Sequence, residues 1–344
     1  MPESVNYLPD CDKGDDFVRP MRLAYLLIDG FALMSYAPVV EPFRAANRLS
    51  GSELYTWRHY SVTGAPAKAS NGLVISVDET ITAMEPADIL FVCAGGNPAL
   101  FNDSRTFDAL RRAARFGTII GGVSGGPYVL ARAGLLDGFR CTIHWEHIES
   151  FEETFAEARL ESGLFVIDRA RVTCAGGLAG LDLSVALIAR DHGVSLANKV
   201  SDWYIHGEQR QASWPQRQSA AQRYGVSHSG LLKVLKAMEE HIAPPLTRED
   251  LAEIANLSVR QLERLFKSQM GSTISEYYLF LRLEKARKLL SETAIPVIEA
   301  SIACGFSSVS HFSRSFKRQM GASPSEFGLG PISHAGRIKI PRPR

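Results

Sequence analysis

Ser124 sits in Gly122-Val123-Ser124-Gly125-Gly126, a G-x-S-x-G pattern that closes the apolar run TIIGGVSGG. A serine on a strained strand-to-helix turn is the arrangement that exposes a hydrolase nucleophile, and its weakly acidic hydroxyl needs a positioned base. His144, in His144-Trp145-Glu146-His147, is the candidate base, and Asp137 is the one acid between it and Ser124. That order conflicts with the hydrolase motif, which expects an acid and a further strand before the histidine, and Asp137 lies in an LLDG turn with an expected structural role. The same residues can instead bind. Backbone amides at the glycine turns Gly95, Gly96 and Gly125 suit a carboxylate, and Trp145 beside His144 suits a cation. Turn geometry for the glycines and aromatic packing for His144 and Trp145 are the competing structural readings.

The elements that must position these residues are legible as periodicity. RLAYLLIDG, ADILFVCAGG and TIIGGVSGG alternate with the amphipathic stretches VVEPFRAANRL, TFDALRRAARFG and PYVLARAGLL. Short apolar runs bounded by glycine fit central parallel strands covered on both faces. LFVIDRARVTCAGG reads as a hairpin and LAGLDLSVALIARDHG as a helix ended by Gly193. In such open sheets sites form where strands end, so the turns at Asp29-Gly30, Gly95-Gly96 and Ser124 are expected to converge.

A chain of 344 residues with 45% apolar composition implies two domains. No apolar stretch approaches eighteen residues and the polar, acidic start is unlike a secretory signal, so a cytoplasmic protein with no membrane partner is expected. Cys11, Cys93, Cys141, Cys174 and Cys304 show no metal-binding spacing, so no metal and no cofactor is expected. The net charge of +1 is unevenly spread: residues 1–210 carry 19 Lys and Arg against 26 Asp and Glu, and residues 241–344 carry 15 against 9. The basic C-terminal part is suited to nucleic acid.

That part also repeats. SVRQLERLFKSQMGSTISEY from Ser258 matches SVSHFSRSFKRQMGASPSEF from Ser308, and each is preceded by a short helix and tight turn, EDLAEIANLS or VIEASIACGFSS. This is helix-turn-helix twice. Ser258 and Ser308 are expected N-caps. Arg260, Glu263, Arg264 and Lys267 share an outward face opposite Leu262, Leu265, Phe266 and Gln269; Ser310, Ser313, Arg314 and Lys317 do so opposite Phe312 and Phe316. Arginine there can bond guanine bidentately and lysine can neutralise phosphate, while Glu263 could accept from cytosine.

From Leu231 to Phe327 these residues resemble the AraC/XylS family of transcription regulators, above all through GFSSVSHFSRSFKRQMGASPSEF. The resemblance implies two helix-turn-helix units joined by a long helix near Ser275–Leu290. From Arg22 to His206 the chain resembles the class I glutamine amidotransferase-like, PfpI-type domain of the GlxA group, through EPFRAAN, VCAGG, LARAGLLDGFRCTIHW and TCAGGLAGLDLSVALIARDHG. That implies a flavodoxin-like parallel sheet sandwich whose enzymes carry a cysteine at the bend. Here Ser124 stands in its place, which removes the thiolate, and Glu41 falls where the family's glutamate would. HWEHIESFEETF resembles a branch responsive to arginine or to betaine- and carnitine-like amines, so Trp145 and Glu41 are expected on the cation of such an effector.

The expected layout is a segment at 1–20, a ligand-sensing α/β domain at 21–206, a linker at 207–228, an all-α double helix-turn-helix domain at 229–330 and a basic tail at 331–344. The expected function is a non-enzymatic transcription regulator, an activator of a catabolic operon. Its expected partners are double-stranded DNA, a small amine or amino-acid effector, RNA polymerase and a second copy in a homodimer. An active serine-dependent amidase with a DNA-binding domain is the alternative, and a ligand-free dimerisation domain a third reading.

Overall fold

The computed structural model describes residues 19–292 and 295–327. The basic tail expected at 331–344, and most of the segment expected at 1–20, lie outside the described residues. The chain divides into two compact units, with the boundary after Gln216.

The first unit is built on a seven-stranded sheet. Its strands are β1 (Met21–Leu27), β2 (Tyr55–Ser61), β3 (Glu79–Thr80), β4 (Ile89–Ala94), β5 (Ile119–Ser124), β6 (Phe165–Asp168) and β7 (Arg171–Cys174). They lie in the order β6-β7-β5-β4-β1-β2-β3, parallel except for the hairpin of β6 with β7 at one edge. β4 is buried throughout, and β5 almost so, because helices cover both faces, which is why their sequences are continuous apolar runs rather than alternating ones. One core joins the sheet to α1 (Leu33–Ser50), α5 (Ala179–His192) and α6 (Val194–Trp203). A second, on the other face, gathers α2 (Ser104–Arg115), α3 (Gly126–Arg132) and α4 (Ile148–Thr154). The chain order reverses between β1 and β4, so the C-terminal ends of these strands form the crevice where open α/β sheets bind ligands.

The second unit is helical: α7 (Ala220–Tyr224), α8 (Ser229–Glu240), α9 (Arg248–Ala255), α10 (Val259–Met270), α11 (Ile274–Glu292), α12 (Val297–Ala303), α13 (Val309–Met320) and α14 (Pro324–Phe327). It holds two separate cores. One packs Leu231, Leu235, Leu251, Leu262 and Phe266 with the start of α11; the other packs Phe306, Phe312 and Phe316 with its end. Each is a helix-turn-helix, and α11 joins them.

The segment 207–228, expected as a linker, is shared between the units. Residues through Gln216 bond to the first, whereas Val226 is buried in the second and Tyr224 bonds Glu239 of α8. A capping box of Ser219 and Gln222 starts α7. Arg217 and Gln218 alone separate the last residue of the first unit from that cap.

Candidate effector site and DNA-binding helices

The bend at Ser124 is a true elbow. Ser124 ends β5 with φ of 60°, a left-handed conformation costly for any residue with a Cβ, and Gly125 caps α3 directly after it. Close packing enforces the glycines on each side. A Cβ on Gly126 would stand 2.0 Å from the Val92 carbonyl, and one on Gly95 2.7 Å from that of Gly30. The turns at Gly30, Gly95 and Ser124 therefore converge at the strand ends, as their positions in the sequence imply.

Ser124 is roofed rather than presented, with only 7% of its surface exposed. A Cβ on Gly176 would lie 2.6 Å from the Ser124 Cβ and 2.7 Å from Ser35 Oγ, so all three residues meet. Ser35 Oγ in turn accepts from the Gly177 amide at 2.9 Å. The Ser124 carbonyl accepts from the His144 amide at 3.2 Å, which brings the aromatic segment to the bend. His144 Nδ1 accepts from the Glu146 amide at 3.4 Å and lies 3.9 Å from the Glu146 carboxylate, so the ring caps the turn that follows it. The ring lies 5.3 Å from that of Trp145, whose surface is 41% exposed. The neighbouring thiol is not activated: burial pushes Cys174 up to about 12, with the Gly176 and Ser124 amides opposing the shift.

Two expected ligand contacts are otherwise engaged. Glu41 is paired with Arg44 at 2.6 Å and accepts from the Tyr204 hydroxyl at 3.2 Å, so the α1 residue beside Ser124 is Ser35. The Gly125 amide, expected to meet an anion, donates to the Ala94 carbonyl at 3.0 Å. A carboxylate does occur at the strand ends. Asp29 lines a cavity of about 460 Å³ with Ser61, Thr63, Asn97, Leu100 and Phe101, and one of its oxygens holds the Lys68 amide at 2.8 Å. A larger hollow of about 790 Å³ lies at the opposite end of the sheet, where Asp88 is already held by Arg19. Ligands of open α/β folds favour the carboxyl ends, so the smaller cavity is the better candidate. Nitrogens of His144 and His147 and the Glu146 carboxylate also lie within 4.8 Å of one another, a donor set that a divalent cation could bridge.

In the second unit the two repeats adopt one geometry. Ser258 and Ser308 cap α10 and α13, accepting from the amides of Gln261 at 3.4 Å and His311 at 3.3 Å, and left-handed Gly271 and Gly321 end the same helices. Leu262, Phe266, Phe312 and Phe316 are buried; Arg260, Arg264, Lys267, Ser310, Arg314 and Lys317 are exposed, and Ser313 is half-buried. Two details differ from the sequence reading. Gln269 is exposed rather than inward, and Glu263 is held by Arg248 at 2.8 Å, which occupies the carboxylate considered for cytosine. Arg282 of α11 locks the second turn, donating to the carbonyls of Cys304 at 2.7 Å and Gly305 at 2.5 Å with its guanidinium over Phe306.

Comparison with known proteins agrees with both halves. Residues 21–190 match the DJ-1/PfpI family and residues 251–328 a helix-turn-helix domain. The chain is 44% identical to the HTH-type transcriptional regulator CdhR of Pseudomonas aeruginosa, over 88% of this chain and 90% of that one. It is 42% identical to the HTH-type transcriptional regulator GlxA of Rhizobium meliloti, over 88% and 94%. A crystal structure of an AraC family transcriptional regulator from Pseudomonas putida superposes with a TM-score of 0.50 at 27% identity, covering 54% of this chain and all of that one. Both full-length relatives are named as transcriptional regulators. The chain belongs to the AraC-family transcription regulators in which a DJ-1/PfpI domain precedes the helix-turn-helix DNA-binding domain.

Proposed function

We propose that this DNA-binding regulator is an effector-dependent activator of a catabolic operon, working in the cytoplasm as a homodimer that contacts RNA polymerase. Its effector is a small amine or amino acid bound without chemistry at the strand ends of the first unit. Arg260, Arg264 and Lys267 on α10, with Ser310, Arg314 and Lys317 on α13, meet the major groove; Ser258, Ser308 and Ser313 support those helices, and Glu263 orients Arg248. The observation that carries the reading is the exposed indole of Trp145, tied through His144 to the elbow at Ser124. An indole face favours a desolvated cation. Glu41 is paired with Arg44, so the carboxylate that the strand-end cavity itself offers an amine is Asp29, which lines it together with Gly95. In the described residues no helix is long and apolar enough to cross a membrane.

The test is calorimetry of the full chain with glycine betaine, carnitine and L-arginine. One of them binds the wild type, and Trp145→Ala weakens it by about 1 to 2 kcal/mol. Binding confined to neutral or wholly anionic metabolites would contradict the amine reading.

A further inference from the structure

Residues 206–216, the last of the first unit, form a strap fastened at three points. At its start Asp182, fully buried on α5, accepts from the Arg210 amide at 3.0 Å and from the Arg210 guanidinium at 2.6 and 3.1 Å, and lies 3.0 Å from His206 Nε2. In its middle the Ala212 carbonyl accepts from the Leu164 amide at 2.7 Å. There Gly163 leaves no room for a side chain: a Cβ would lie 2.4 Å from that carbonyl. At its end Gln216 Nε2 reaches three acceptors, the carbonyls of Ile143 and Gly163 at 2.9 Å and Thr142 Oγ1 at 3.1 Å.

This last anchor occupies a particular place. Ile143 is fully buried and directly precedes His144, whose amide holds the Ser124 carbonyl. Thr142 is fixed from behind by Thr173 Oγ1 at 2.9 Å and bonds Gly163 at 2.8 Å. Gln216 is also the residue at which the first unit ends, with Arg217 and Gln218 alone before the cap of α7. One amide group therefore joins the segment carrying His144 and Trp145 to the point where the DNA-binding unit begins. Its two N–H groups serve three acceptors, so a small shift of residues 142–147 changes which bonds survive, and the end of the strap follows.

We infer that Gln216 is a positioning residue that couples the His144–Trp145 segment to the junction with the DNA-binding unit: the strap end is clamped while residues 142–147 keep their register, and released when they move. The regulatory meaning of this coupling rests on the effector reading above, but the coupling itself requires no ligand. By reciprocity, loosening the strap must loosen the segment and loosening the segment must loosen the strap.

Hydrogen–deuterium exchange on the full chain tests this without effector. Gln216→Met keeps the length and removes both donors. It is expected to speed exchange at least about tenfold, the scale of two lost hydrogen bonds, in residues 142–147 and 206–216 together, with 89–94, 259–270 and 309–320 at wild-type rates. Thr142→Val, made on the other side of the contact, is expected to speed exchange in 206–216 in return. It carries the test should Gln216→Met fail to fold. Faster exchange confined to the mutated side in either variant would overturn the inference. Because no ligand is present, a wild-type protein that ignored every amine would remove the effector reading and leave this result to be judged on its own.

Discussion

The amide of His144 donates to the carbonyl of Ser124 across 3.2 Å, joining the elbow to the aromatic segment through backbone atoms alone. The side chain of Ser124 takes no part in that link, and Gly176 packs against it closely enough to leave 7% of the residue exposed.

Ser124→Ala is therefore expected to keep effector-dependent transcription. It loses at most one hydrogen bond to the effector, about 1 kcal/mol. Reporter activity with calorimetry on the variant checks this, and a covalent adduct on Ser124 in the wild type, detected by mass spectrometry, would reinstate the amidase reading.

Gly176 and Gly177 separate steric crowding from backbone strain. Both have positive φ, 85° and 53°, but only at Gly176 would a Cβ meet Ser124 and Ser35; at Gly177 it would meet nothing within 4 Å. Gly177→Ala should cost about 1 kcal/mol for the left-handed backbone, and Gly176→Ala about 2 to 4 kcal/mol because overpacking is added. Urea denaturation of the two variants measures the difference, and equal costs would mean that the roof over Ser124 yields.

Mild acid should destabilise the first unit through its histidines. Burial lowers the pKa of His59, packed against Tyr25 and bonded to the Tyr36 hydroxyl, with Asp78 opposing the shift; burial likewise lowers that of His192, edge-on to Tyr55. The unfolded chain then binds protons before the folded one does. The contribution of the neutral rings is thus fully present above an unfolded value of about 6.5, and it is lost as pH falls through the lowered folded values. Unfolding midpoints in denaturant should fall from pH 7.5 to pH 5.5, and the double variant His59→Gln, His192→Gln should flatten that slope. An unchanged slope would place the acid sensitivity elsewhere.

The sheet and the two helix-turn-helix units were legible because burial writes them as apolar periodicity: ILFVCA for β4, and Leu262 with Phe266 against Phe312 with Phe316. What escaped was polar or depended on helical phase. Glu41 stands six residues after Ser35 on α1, about 9 Å further along and about 120° around the axis, so a carboxylate close in sequence faces Tyr204 rather than Ser124. Ser35 lies in no motif. The strap at 206–216 is held by Asp182, Gln216 and backbone carbonyls, so its polar composition reads as a linker although it is fastened. Asp29 was visible only as half of a turn, and the cavity beside it depends on β1, β2 and β4 ending together. For Glu263, its partner Arg248 lies fifteen residues away on another helix, beyond any local pattern.

The basic second unit should bind DNA without the first. A fragment beginning at Arg217 keeps α7, both cores and both recognition helices, and it should bind duplex DNA with an affinity that falls steeply with salt as phosphate contacts release counterions. Fluorescence anisotropy across a salt series checks this, and a flat response would argue against groove binding by α10 and α13.

The most direct test of the central claim compares Arg264→Ala and Arg314→Ala with the wild-type chain in affinity selection from a random duplex library. Both arginines are exposed six residues beyond their capping serines, at equivalent positions on the two repeats. The wild type should select two short elements about one helical turn, roughly 34 Å, apart. Each variant should lose about 1 to 3 kcal/mol on the selected duplex and relax base preference in one element while keeping the other. Selection of a single element, or wild-type affinity and preference in both variants, would contradict DNA reading by two matched recognition helices.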